Sequence, residues 1–317
     1  MMKKIISLLL AFSILFSFAS CGKDIPDSET TTDIVETTNP VKENKSTMLS
    51  VYIGNKYISS QDEETYEFLT ELYYQNVYLS EEDGKKYPRL ASALDSLNKD
   101  RAEMSEETAN ELYDAAVENY NTYYEDGESF VTYTSNHKYL LQRADNAVVS
   151  LRSDYDVFSG GMHPNYGTGG YNFDTATGKE LLISDVMTDI SDLPRIISDK
   201  IKAKDSSEYE MFGSLEETLS EYTAEQFNWT IGYQGITFYF SPYEIASYAA
   251  GLITATIYYD EYPELFNEKY TTAPDSYAYP LPEWSDVEFD MNPSDDKKDT
   301  ICVGLFGRNF LRCAVVQ

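Results

Sequence analysis

His137 and His163 are the chain's two imidazoles, and Cys21, Cys302 and Cys313 are its three thiols. A Ser-His-Asp or Cys-His hydrolase needs an imidazole held by a carboxylate and touching a nucleophile. Nothing in the spacing of these residues sets that up. A zinc site wants more Cys and His ligands than this chain offers. No Lys-Ser/Thr pair follows the glycines between 160 and 170, which argues against a phosphate-cradling P-loop. The expectation is a chain without catalytic residues, metal or cofactor. One enzymatic alternative stays open. With 54 Asp and Glu in the chain, two carboxyls could converge for glycoside hydrolysis, and only their separation in space would decide it.

The least ordinary stretch is "FSGGMHPNYGTGGYNFD", residues 158–174, with five glycines around His163. It reads either as a loop built to hold a ligand or as a turn that glycines make possible. Gly160 and Gly161 can take backbone angles closed to other residues. Gly169 and Gly170 are expected to do the same where the next strand enters. Pro164 biases His163 toward extended backbone. The loop is then chiefly a device of the fold, and its tip, Met162, His163, Asn165 and Tyr166, is the candidate contact surface. A second stretch, "SPYEIASYAAG" at 241–251, contains Pro242, Tyr243, Glu244, Tyr248 and Gly251. Pro242 suits a turn, and Gly251 permits reversal into the next strand. Tyr243, Ile245 and Tyr248 are expected beneath a sheet.

Elements must position these stretches. "TELYYQNVYLS" (70–80) alternates and is rich in Tyr, which predicts a strand. Pro88 can open a helix, continued by Leu90, Ala93, Leu94 and Leu97. Ser105 offers a cap for a second helix with Ala109, Leu112, Ala116 and Tyr120 in one stripe, unless the two are one long broken helix. Strands are expected at 129–135, 138–144, 147–159 and 169–174, with His137 in a strand connection and Gly178 in a turn. Ser184 or Asp185 is expected to cap a short helix. "LPRIISDKIKAK" and "SLEETLSEYTAEQF" read as helices, and 235–240 and 252–259 as strands. The order suggests an α+β protein of two small subdomains, each a mainly antiparallel sheet with packed helices.

The flanks carry different information. Lys3 and Lys4 precede an apolar run from Ile5 to Phe16, followed by Phe18-Ala19-Ser20-Cys21. This reads as a secretory signal over residues 1–20, too short for a spanning helix. Its end resembles a bacterial lipoprotein processing site, with Phe18 where Leu is usual. Cys21 would then be the lipidated first residue, palmitate included, on the outer face of the cytoplasmic membrane. Ordinary cleavage and secretion is the alternative. Residues 21–47 hold few large apolar groups and read as a disordered tether. The folded part is read as 48–180, with the GG-x-H loop, and 181–270, with the "SPYEIASYAAG" motif. Residues 271–317 read as a Pro-rich linker and a β-hairpin tail. A two-residue turn at Gly307-Arg308 would set Cys302 opposite Cys313, where a disulfide becomes geometrically open.

Charge bounds the partners. The chain has 24 basic and 54 acidic residues, a net −30. Removing the leader takes away two lysines and no acid, which moves the net charge to −32. Such a field repels nucleic acid and favours basic partners.

"NAVVSLRSDYDVFSGGMHPNYGTGGYNFDTATGKELLISDVM" together with "GITFYFSPYEIASYAAGLITATIYYDEYPELF" resembles a tandem pair of extracytoplasmic domains. Similar pairs form the outer half of membrane anti-sigma factors that bind lysozyme and the non-catalytic part of a peptidoglycan deacetylase. The resemblance spans roughly 50–270. A leader stands where the anti-sigma factors carry a cytoplasmic segment, and no Asp-His-His metal set of a deacetylase is seen. The resemblance implies a non-catalytic binding lipoprotein of the cell envelope, with lysozyme or another basic cell-wall-active protein as its ligand. The alternative is an envelope glycan-binding protein or a peptidoglycan-modifying hydrolase using paired carboxylates.

Overall fold

The computed structural model describes residues 47–126, 129–204 and 211–272, with side chains for all of these except 123–126, and the backbone of 300–303 and 312–315. The expected signal, Cys21, the tether up to residue 46 and the linker from residue 273 lie outside the described residues. The fold is α+β. β1 (Val51–Gln61) and β2 (Phe68–Leu79) form an antiparallel hairpin. The sequence pattern does not announce β1, because its middle, "NKY", is polar and exposed. Only its first half, through Val51 and Ile53, enters the core. That composition suits an edge strand, where polar and Lys side chains deter pairing with another chain, and β1 is an edge of its sheet.

α1 (Glu81–Lys86) is capped by Ser80, whose hydroxyl accepts from the Asp83 N–H. α2 (Pro88–Asp126) is one continuous helix. Ser105, expected as a cap, is a buried interior residue. The reason is phase. Leu112 follows Leu94 by eighteen positions, which is five turns at about 3.6 residues each. Both apolar stripes therefore fall on one face. Leu90, Leu94 and Leu97 pack with Ile53, Val77 and Leu151, while Leu112, Ala116 and Tyr120 pack with Leu69, Leu72 and Tyr133.

β3 (Tyr133–Ala144) is one strand where two were expected, with a register shift between Leu141 and Arg143. It runs parallel to β2, and β4 (Val148–Phe158) and β5 (Asn165–Asp174) continue the sheet antiparallel in the order β1-β2-β3-β4-β5. β2 and β3 pair only as far as Tyr74 and His137. Beyond that point side chains take over the freed backbone groups. Gln75 accepts from the Tyr139 N–H at 2.7 Å, and Asn98 of α2 bonds the Val77 N–H at 2.7 Å and its carbonyl at 2.8 Å.

The second half contains α3 (Ile183–Val186), α4 (Leu193–Lys204) and α5 (Leu215–Ser220), then β6 (Trp229–Ile231), β7 (Gly235–Phe240), β8 (Ile253–Tyr258) and α6 (Glu268–Thr271). β6, β7 and β8 make a three-stranded antiparallel sheet. Ile196, Ile197, Leu219, Phe238 and Ile257 are at its core. Leu182, not Ser184 or Asp185, is the N-cap of α3. Asp185 instead reaches back to accept from the Leu182 N–H at 2.9 Å. α5 is shorter than the pattern suggests, because Gln226 accepts from the Thr223 N–H at 2.8 Å and so competes with the helix.

Contacts at several places join the halves, among them two in the interior. β6 uses one backbone edge for β7. On its other side, Asn172 donates to the Trp229 carbonyl at 2.8 Å, and the Ile231 N–H donates to Ser150 Oγ at 3.1 Å. Gly170 lies so close that a Cβ there would sit 1.8 Å from the Trp229 carbonyl oxygen. Closeness, not the special backbone angle expected, is what requires glycine at 170: neither Gly169 nor Gly170 has a positive φ. The other contact is Arg143, fully buried, which pairs with buried Asp145 at 2.8 Å. It also donates to the carbonyls of Gly232, Tyr270 and Thr272.

β9 (Thr300–Val303) and β10 (Arg312–Val315) pair antiparallel with Cys302 opposite Cys313, the register expected from the sequence.

Candidate functional site

The GG-x-H loop joins β4 to β5, and the 241–251 segment joins β7 to β8. Far apart in sequence, they meet in space. Gly160 and Gly161 take φ of 84° and 99°, and Gly251 takes 68°, so each reversal uses a backbone angle that glycine adopts without steric cost. His163 stacks on Tyr248, with ring centroids 3.9 Å apart and planes at 22°. The Tyr248 hydroxyl donates to the Pro164 carbonyl at 2.7 Å, and His163 Nδ1 donates to the same oxygen at 3.1 Å. Tyr166 meets Tyr248 edge-on at 5.5 Å, and Tyr243 lies against it at 5.6 Å. Tyr248 is thus the hub of four rings drawn from both motifs.

Beneath the rings the two segments are tied together. The Thr168 N–H donates to Ser241 Oγ at 3.1 Å. Glu244 accepts from the Ser241 N–H at 2.8 Å and from the Tyr222 hydroxyl at 3.3 Å. Burial holds the Glu244 carboxyl above its usual range, against those hydrogen bonds. Glu244 therefore fixes the turn and does not face outward as a charged ligand. Tyr155 lies over Gly167, where a Cβ would collide with its hydroxyl.

Of the residues singled out in the sequence, His163, Tyr166, Tyr243, Tyr248 and Gly251 come together. Met162, at 99% exposure, and Asn165 stand at the exposed tip and at the first residue of β5. Tyr243 does not pack beneath the sheet: it is 58% exposed, with φ 69°. Pro242 precedes it in the turn. Tyr155 and Thr168 were not signalled as parts of this site, because Thr168 meets Ser241 only across 73 positions and Tyr155 meets Gly167 only through the pairing of β4 with β5.

His137 is not in a connection. It is buried in the middle of β3, and its Nε2 lies 2.6 Å from Ser153 Oγ on β4. Its pKa is pushed down to about 3 by burial, with the Arg101 guanidinium adding to the shift. Among the described residues Nδ1 has no hydrogen-bond partner, so none of their carboxylates orients the ring. Alternation of His137 with Tyr139 and Leu141 on one strand face was the signal of its burial. Among the described residues no group of three His, Cys, Asp or Glu side chains could hold a metal ion. No described helix is long and apolar enough to cross a membrane.

Residues 180–260 match the family model described as "Protein of unknown function (DUF3298)". The match includes the Tyr248 side of the aromatic surface. The fold is similar to the crystal structure of a family member from Bacteroides fragilis NCTC 9343, at 18% identity and TM-score 0.53, over 70% of this chain and 94% of that one. A family protein from Pseudomonas aeruginosa PAO1 aligns at 15% identity and TM-score 0.44, over 70% of this chain and 97% of that one. No curated protein matches.

Proposed function

We propose that the chain is a non-catalytic binding lipoprotein of the bacterial cell envelope, held on the outer face of the cytoplasmic membrane through Cys21. Its ligand is a basic cell-wall-active protein, with lysozyme as the first candidate. The observation that carries this reading is the joining of the two motif loops into one exposed aromatic surface on a chain of net charge −30. Tyr offers apolar area and a polar tip together, and such residues anchor protein interfaces. Long-range charge would steer a basic partner toward it. The Ser153–His137 contact supports a non-catalytic role, since both side chains are buried and no described carboxylate stands behind the imidazole.

Titration calorimetry of the purified full chain with lysozyme tests the proposal, at physiological salt and at about 0.5 M salt, where screening acts within a few ångströms. Binding that persists at high salt and weakens at least tenfold in Tyr248→Ala supports it. Binding confined to low salt, or unaffected by Tyr248→Ala, sinks it. A glycan ligand is the second reading, favoured by the flat faces of exposed Tyr243 and Tyr155. Muropeptide fragments in the same titration separate the two. For the anchor, Cys21→Ala should release the protein from membranes, and unchanged fractionation and mobility would remove that claim.

A further inference from the structure

At the opposite end of the three-stranded sheet lies a cavity of about 520 Å³ lined by Tyr233, Gln234, Tyr258, Tyr259, Asp260 and Glu261. It sits where β6 turns into β7 and where the chain leaves β8. The six residues of β7 separate it from the 241–251 segment, a span of roughly 20 Å at about 3.3 Å per residue. The lining is aromatic and acidic, with no basic side chain in it.

Its rim already holds an ammonium group. Lys200 of α4 places its Nζ 2.5 and 2.6 Å from the two Glu261 oxygens. The same nitrogen is 5.9 Å from the ring centroids of both Tyr258 and Tyr262. A carboxylate beside aromatic faces within about 6 Å is the arrangement that attracts an alkylammonium. Glu261 is thereby neutralised, while Asp260 is exposed and makes no ion pair with any described residue. The walls are held in place. Tyr259 donates to the Gly232 carbonyl at 3.0 Å and meets Phe266 edge-on at 4.8 Å. Tyr233 lies against the Arg143 guanidinium at 5.2 Å, and Glu261 also accepts from the Tyr258 N–H at 3.2 Å. A recess with fixed walls loses little entropy on binding.

We infer that this cavity is a binding site for a small organic cation of the aliphatic amine class, with Asp260 as the counter-charge, Tyr258 as the aromatic wall and Lys200 as an internal competitor. The site is separate from the aromatic surface and does not depend on the reading given to it. Spermidine is the probe for a free amine, and Nα-acetyl-lysine amide is the probe for a basic side chain. Hexane-1,6-diol is the uncharged control.

Calorimetry and tyrosine-region NMR on the full chain read the outcome. Tighter binding of spermidine identifies a free amine, and tighter binding of the lysine amide identifies a basic side chain. Asp260→Asn and Tyr258→Ala should each weaken amine binding at least tenfold, with Tyr258→Phe close to the parent as a check that the wall is intact. Asp95→Asn, which removes an exposed charge on α2, should leave it unchanged. Lys200→Met should strengthen it severalfold, and Lys56→Met, which changes the net charge equally, should not. Equal losses in Asp260→Asn and Asp95→Asn would mean diffuse attraction and overturn the site. Equal gains in the two lysine variants, or diol binding as tight as amine binding, would overturn it too.

Discussion

A buried imidazole beside Ser153 is expected to make the protein sensitive to acid. The folded pKa of His137 is about 3, below its ordinary value of about 6.5. Between those values the unfolded chain binds a proton that the folded chain refuses. Stability contributed by this group is present above about pH 6.5 and is lost as pH falls toward the folded pKa, at up to ~1.4 kcal/mol per pH unit. Urea unfolding from pH 7 to 5 should show a steeper loss in the parent than in His137→Gln, and parallel curves would refute the assignment. Only the alternation of His137 with Tyr139 and Leu141 was legible in the sequence. Asn136 and Lys138 flank His137 and suggest a polar connection, while Ser153 lies sixteen positions away on a neighbouring strand. His163 was easier to read, because its glycines and Pro164 announce a shaped turn. What no local pattern supplied was its stacking partner, Tyr248.

Elements were readable where one face repeats and unreadable where a neighbour supplies the partner. α4 follows directly from its apolar spacing and matches residue for residue. β6, three residues long, has no periodicity to read. Its outer edge is satisfied by Asn172 and Ser150 from another sheet. Asn172→Leu should therefore cost about 2–4 kcal/mol, since it leaves the Trp229 carbonyl buried and unpaired and puts bulk beside it. Asn165→Leu, on the same strand but exposed, should change stability by less than ~0.5 kcal/mol. Denaturant midpoints of the two variants compare these directly. The tail hairpin sets Cys302 against Cys313 in register. A disulfide there, proposed from the register alone, would make the unreduced protein two hydrogens lighter than the dithiol form, and an unchanged mass on reduction would count against it.

Across the whole molecule, the buried Arg143–Asp145 pair ties the five-stranded sheet to the β6–β7 turn and to the end of α6. Asp145 also accepts from the Ala147 and Val148 N–H groups at 2.9 and 3.0 Å. Removing one partner of such a pair strands the other charge without water. Arg143→Met should destabilise by about 3–5 kcal/mol, and the double variant with Asp145→Asn should cost less than the sum of the two. Equilibrium unfolding of the four proteins makes that cycle. The α+β class was visible in the order of strand-like and helix-like segments. This clasp was not, because Tyr270 stands 127 positions after Arg143.

Tyr243 holds a left-handed backbone angle, φ 69°, while presenting more than half of its surface to solvent. For a side chain with a Cβ that angle costs about 1–2 kcal/mol. Tyr243→Gly should therefore raise the melting temperature while weakening whatever the aromatic surface grips. The position offers a substitution in which folding and recognition are expected to move in opposite directions, so two measurements on one variant distinguish a tyrosine kept for architecture from a tyrosine kept for contact.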